Sequence, residues 1–170
     1  MIETDRLVIS PLTPADAPFI YELLNSPPWL KYIGDRNVHS VDDALRYLEN
    51  RVFPAYRKNG LAGWRVALKE NDFPIGNCGF YQRDFLDTPD FGFAFLPEFI
   101  GKGYGYEAAQ ACLDYGIEQL GIKGICAITV PHNLASIGLL KKLGFKLEGT
   151  NKWPDDPEVL ELYRYEVTPT

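Results

Sequence analysis

The 170-residue sequence has little that would tie it to a metal, a disulfide framework or a membrane. It contains two histidines and three cysteines. Cys78, Cys112 and Cys126 form no close-spaced metal motif, and three thiols cannot all pair. Each sits among small or apolar neighbours, so reduced core thiols are expected. His132 has no second His or Cys at ligand spacing and His39 flanks a helix cap, so no metal is expected. No stretch approaches the roughly 20 apolar residues of a membrane span. The opening MIETDRLVIS has acids where a signal peptide needs bases, so a cytoplasmic protein is expected, without a membrane partner. Basic residues are not in excess either. With 17 Lys and Arg against 23 Asp and Glu the formal charge is −6, which argues against nucleic acid as a partner. That charge leans slightly towards cationic substrates, although solubility alone calls for as much.

What is present fits one compact domain over residues 1–170, with 46% hydrophobic and 14% aromatic residues and no repeats or linker-like tracts. Ile2 and Leu7–Ile9 alternate as a short strand. Thr13-Pro14-Ala15-Asp16 signals a helix start, with Ala17, Ile20, Leu23 and Leu24 as its apolar stripe. Pro27-Pro28 to Gly34 reads as a loop. Ser40 with Asp43 opens a second helix that Gly60 follows. Trp64–Lys69, Pro74–Tyr81 and Asp90–Leu96 read as strands, and the short turns between them imply antiparallel neighbours. A helix over Gly103–Leu120, an all-apolar strand over Gly124–Val130 and a helix over Asn133–Leu143 follow, then strands Phe145–Gly149 and Leu160–Val167. This order predicts an α/β (α+β) fold with a mixed sheet, in which a meander is followed by a crossover helix and a parallel strand.

The segment Ile100–Gly105 (IGKGYG) stands out. Gly101, Gly103 and Gly105 alternate immediately before a helix pattern, where backbone N–H groups can converge and an anion meets no Cβ. The helix N-terminus adds donors and partial positive charge, so phosphate is the natural ligand, and Lys102 offers a point charge or is a solvated surface lysine. A Walker-type site would need a Lys-Ser/Thr pair that is missing. Gly103, Gly105 and Ala108 satisfy a dinucleotide fingerprint, yet Pro97–Ile100 separates them from the strand and the next strand ends Thr129-Val130-Pro131 without a ribose-binding acid. A plain strand-to-helix turn stays open, though it needs fewer glycines.

Ile100–Gly105 resembles motif A of the GNAT acetyltransferases, the loop that binds the acetyl-CoA pyrophosphate. Asn133-Leu134-Ala135-Ser136, Leu139 and Lys142-Leu143-Gly144-Phe145 resemble motif B. Thr4-Asp5-Arg6-Leu7 and Pro11–Ala17 resemble the branch named for ribosomal-protein alanine N-acetyltransferases. The resemblance covers essentially the whole chain. It implies a GNAT fold, with six to seven strands, splayed central strands and about four helices. It implies that the strand around Phe93, Phe95 and Leu96 pairs through its backbone with the pantetheine arm. Gly101, Lys102, Gly103, Tyr104, Gly105 and Tyr106 would hold the pyrophosphate. Asn133, which also fits a plain N-cap, would lie beside the pantetheine, and Ser136 near the sulfur. Two positions depart from the family pattern: Ile100 stands for Gln or Arg, and Leu140 stands where many members carry a Tyr as general acid. Ser136, a water or an unassisted thiolate of pKa about 8.5 would then serve.

The family's chemistry is attack of a neutral amine on the thioester, with the backbone N–H groups near Phe95 opposite the developing oxyanion. Asp90, just before Phe91-Gly92-Phe93, is the first candidate base, or else a turn aspartate after Pro89. Trp29, Tyr32, Tyr81 and Phe85 are candidates to line the acceptor site, or to be core. The resemblance implies acetyl transfer from acetyl-CoA to a primary amine, including a peptide α-amine, by a monomer or homodimer. Acetylation of a polyamine or aminoglycoside, and a CoA-binding module without turnover, are the alternatives.

Overall fold

The computed structural model describes residues 1–168. Eight strands form one sheet in the order β1-β2-β3-β4-β5-β6-β8-β7. Here β1 is Ile2–Glu3, β2 Leu7–Ser10, β3 Gly63–Leu68 and β4 Pro74–Tyr81. The second half contains β5 (Asp90–Phe95), β6 (Ile125–Thr129), β7 (Lys146–Lys152) and β8 (Val159–Tyr165). The count exceeds the six or seven expected because the first strand is a hairpin. Thr4 closes it, its N–H donating to the Leu7 carbonyl at 3.0 Å and its hydroxyl accepting the Leu7 N–H at 3.0 Å. The meander β2-β3-β4-β5 is antiparallel, and β5 and β6 are parallel, as the turn lengths and crossover helix predict.

The helices are α1 (Ala17–Leu24), α2 (Pro27–Tyr32), α3 (Val41–Tyr47), α4 (Phe53–Asn59), α5 (Tyr104–Glu118) and α6 (Leu134–Leu143). A π-helical segment, Leu48–Val52, joins α3 to α4 in one continuous rod, so five helical bodies replace the four expected. Pro54, which has no N–H to give to the turn before it, sits at the restart of regular helix. The extra body is α2, where a loop was predicted. Its two prolines occupy first-turn positions after Ser26, where N–H groups have no intrahelical acceptor in any case. The second helix begins as its sequence demands: the Asp43 N–H donates to Ser40 Oγ at 3.0 Å, and the His39 N–H to Asp43 at 3.0 Å.

Two cores hold these layers. One lies between the sheet and α5–α6, built on residues such as Ile75, Phe80, Leu113, Ile125 and Tyr163. The other gathers Phe19, Leu23, Ala44 and Leu48 of α1, α3 and the π segment against Leu96. Cys78, Cys112 and Cys126 are free and buried in the sheet and α5, as their neighbours predict. No helix among the described residues is long and apolar enough to cross a membrane.

Candidate active site

The sheet opens where the parallel pair begins. β5 and β6 share one register pair, Asp90 with Cys126, supported by the Cys126 N–H donating to the Pro89 carbonyl at 3.0 Å. Beyond it β5 remains bonded to β4 through Phe95, and β6 to β8 through Thr129. The edge of β5 from Gly92 onward that faces β6 therefore has no partner strand. A cavity of about 670 Å³ lies in this splay. Its walls include Gly92, Phe93 and Ala94 from β5, and Ile128 and Thr129 from β6.

Beside it, the loop before α5 adopts the conformation that alternating glycines allow. Gly101 and Gly103 have φ of +82° and +86°, and Gly103 is the N-cap of α5. The first intrahelical bond is from the Glu107 N–H to the Gly103 carbonyl at 3.1 Å, and the N–H groups from Gly101 to Tyr106 have no backbone or side-chain acceptor among the described residues. A run of donors at the positive end of a 15-residue helix is suited to an anion. Arg6 braces this loop. Its guanidinium donates to the Lys102 carbonyl at 3.0 Å and to Glu107 at 2.8 Å, and stacks 4.3 Å from the Tyr104 ring centroid. Thr4 adds a hydrogen bond to the same Glu107 carboxylate at 2.5 Å. Lys102 projects over Phe99, Tyr106 lies under Lys142, and Ile100 is half exposed.

The residues expected to carry chemistry divide into two groups. Trp29, Tyr32, Tyr81 and Asp90 line the cavity, as do Phe93, Asn133 and Ser136. Phe85 does not; it packs on Trp153, which does. The Phe95 and Leu96 side chains are buried in the two cores, so only the backbone there can meet a ligand, and the Leu96 N–H is taken by the Ile75 carbonyl at 2.8 Å. Asn133 is the N-cap of α6, its side chain accepting the Ser136 N–H at 3.2 Å. Leu140 is a buried apolar wall of the cavity.

Asp90 lies at the vertex, 3% exposed. One carboxylate oxygen accepts from Arg83 Nε at 2.8 Å, and the other is buried with no partner. Burial raises its pKa above the ordinary value, against the pull of Arg83. Arg83 is clasped between the rings of Tyr81 and Trp153, at 5.2 and 4.8 Å. Sequence reasoning missed both Arg83 and Trp153. Arg83 lies in the turn just past the end of β4 and seven residues before Asp90, which is the one local hint; Trp153 comes from the β7–β8 connection with no local signal. Sequence reasoning also left Tyr47 and Arg51 unread as cavity residues.

Residues 6–146 match the acetyltransferase (GNAT) domain family. The chain belongs to the GNAT acetyltransferases. It is 30% identical over 163 residues to the uncharacterized N-acetyltransferase YnaD of Bacillus subtilis, covering 91% of this chain and 92% of the relative. The solved GNAT acetyltransferase of Bacillus anthracis superposes with a TM-score of 0.77 at 27% identity, over 96% of this chain and 95% of that one. RimL, a ribosomal L7/L12 α-N-protein acetyltransferase solved with coenzyme A, shares the fold at a TM-score of 0.82 and 15% identity, over 96% of each chain. This GNAT chain is thus an N-acetyltransferase, and the acyl donor of its family is acetyl-CoA. The free β5 edge and the unsatisfied loop amides fit such a donor, which pairs an amide-bearing arm with a pyrophosphate.

Proposed function

We propose that this enzyme acetylates peptide α-amines from acetyl-CoA held in the β5–β6 splay. The amides from Gly101 to Tyr106 bind the pyrophosphate, and the backbone groups of Phe93 and Phe95 on the open β5 edge pair with the pantetheine arm, those of Ala94 being turned to Asn77 of β4. Asn133 and Ser136 flank that arm at the start of α6. The bound donor supplies an activated thioester. Backbone N–H groups of β5 face the oxygen that gains charge, and the apolar Leu140 wall excludes water from the leaving sulfur.

The observation that carries the acceptor reading is the state of Asp90. It is the carboxylate buried within the cavity wall, and its accessible side is occupied by Arg83. A base so engaged cannot readily strip a lysine-like amine of pKa about 10.4, which is neutral at well under one part in a thousand at pH 7; an α-amine near 8 is about a tenth neutral unaided. Peptides with a free N-terminus and no lysine, and N-terminally blocked peptides with one lysine, separate the cases when incubated with acetyl-CoA. Acceptor-dependent thiol release and product mass are expected to show acetylation of the first set. Turnover confined to the blocked lysine peptides refutes the reading.

A further inference from the structure

The cavity wall reverses the charge of the chain. Lys31 of α2, Arg36 of the loop after it, Arg51 of the π segment and Lys58 of α4 all line the cavity, together with Arg83. The carboxylates lining the same cavity are Asp90, already paired to Arg83, and Asp156 and Glu158 of the β7–β8 connection. Five cations against three carboxylates leave an excess of two positive charges, so the rest of a chain of net −6 carries −8. Lys31, Arg36, Arg51 and Lys58 have no ion-pair partner among the described residues, so their charge is not cancelled within the wall. The phosphate-binding loop contributes no residue to this wall. Unpaired cations concentrated at a cleft in an acidic protein focus a positive potential there.

Resting on the α-amine reading above, we infer that the preferred acceptor is an acidic peptide, whose free N-terminus reaches the splay while carboxylates in its next few residues lie along the cations of α2–α4. The reacting amine is neutral when it attacks, so the wall does not repel it. A polyamine, which stays cationic along its length, is repelled. The leaning towards cationic substrates that the net charge suggests is thus the wrong sign for the surface that meets the substrate.

Three peptides test this. Each has an N-terminal alanine, and residues two to four are glutamate, glutamine or lysine; spermidine is a fourth acceptor. The glutamate peptide is expected to exceed the lysine peptide in kcat/KM by about tenfold at low salt, the gap closing as ionic strength rises. Arg51→Gln combined with Lys58→Gln, both exposed positions, is expected to raise KM for the glutamate peptide several-fold while KM for acetyl-CoA holds. Equal use of the three peptides, or preference for lysine or spermidine, overturns the inference and leaves acetyl transfer standing. A rise in KM for acetyl-CoA alone also overturns it, assigning the cations to the donor's phosphates. Absence of thiol release with every amine refutes the parent reading itself.

Discussion

Replacing Arg83 by Met removes the one hydrogen-bond partner of the Asp90 carboxylate and keeps most of the volume of the stem between Tyr81 and Trp153. Asp90 is 3% exposed and its second oxygen already has no partner, so the variant leaves a buried carboxylate with nothing to balance it. Breaking one side of a buried pair costs about 3–5 kcal/mol. Loss of the guanidinium that favours the charged form also raises the Asp90 pKa further. Because burial already places that pKa above the ordinary value, the carboxyl of the variant protonates towards neutrality. The native state then holds a proton that the unfolded state has released, so stability falls as pH rises from about 4, the unfolded value, to the raised native one, and levels off above it. Towards pH 4 the loss shrinks to that of a neutral, poorly satisfied group, about 1–3 kcal/mol. Urea unfolding from pH 4 to 8 measures this, each kcal/mol corresponding to about 2–4 °C in Tm for a domain of this size. Arg83→Met with Asp90→Asn removes the charge and is expected to recover much of the loss and to flatten the pH dependence. A pH-independent loss below about 1 kcal/mol for Arg83→Met, or additive effects in the double variant, refutes the reasoning.

Gly103→Val places a branched side chain at φ +86°, with its Cβ 3.2 Å from Arg6 Nη2. It should cost about 1–2 kcal/mol of stability and raise the acetyl-CoA Kd at least about tenfold by calorimetry with the fold kept; unchanged affinity counts against the cradle. Gly116→Ala should destabilise despite a helix propensity gain of about 1 kcal/mol. The new Cβ would lie 2.5 Å from the ring of fully buried Phe80, and overpacking of this kind costs about 1–3 kcal/mol; a higher urea midpoint would show that the ring yields. Burial raises the Cys78 and Cys126 thiols, so a thiol reagent should find none of the three cysteines in the native protein and all three in urea. Rapid native labelling would contradict the buried placement.

The order of strands and the crossover were legible because turns and glycines punctuate them. β4 coincides with its predicted bounds because the Glu70-Asn71-Asp72 turn sets one end and the break after Tyr81 the other. The loop before α5 and its free N–H groups were legible from three glycines and a helix pattern. α2 was not, because proline reads as a loop former until its place in the first turn is known. The vertex pair was half legible: Asp90 could be named from its strand, but what holds it comes from Arg83, seven residues away across a turn, and from Trp153 on a distant connection. The charge of the cavity wall was not legible in composition, because four cations from separate segments meet there only after α2 to α4 have folded.

A crystal structure with bound coenzyme A tests the central claim most directly. It should show the pantetheine hydrogen-bonded along the β5 edge at Phe93 and Phe95 and the pyrophosphate on the amides between Gly101 and Tyr106. Coenzyme A seated outside the β5–β6 splay, or loop amides making no contact with its phosphates, would contradict it.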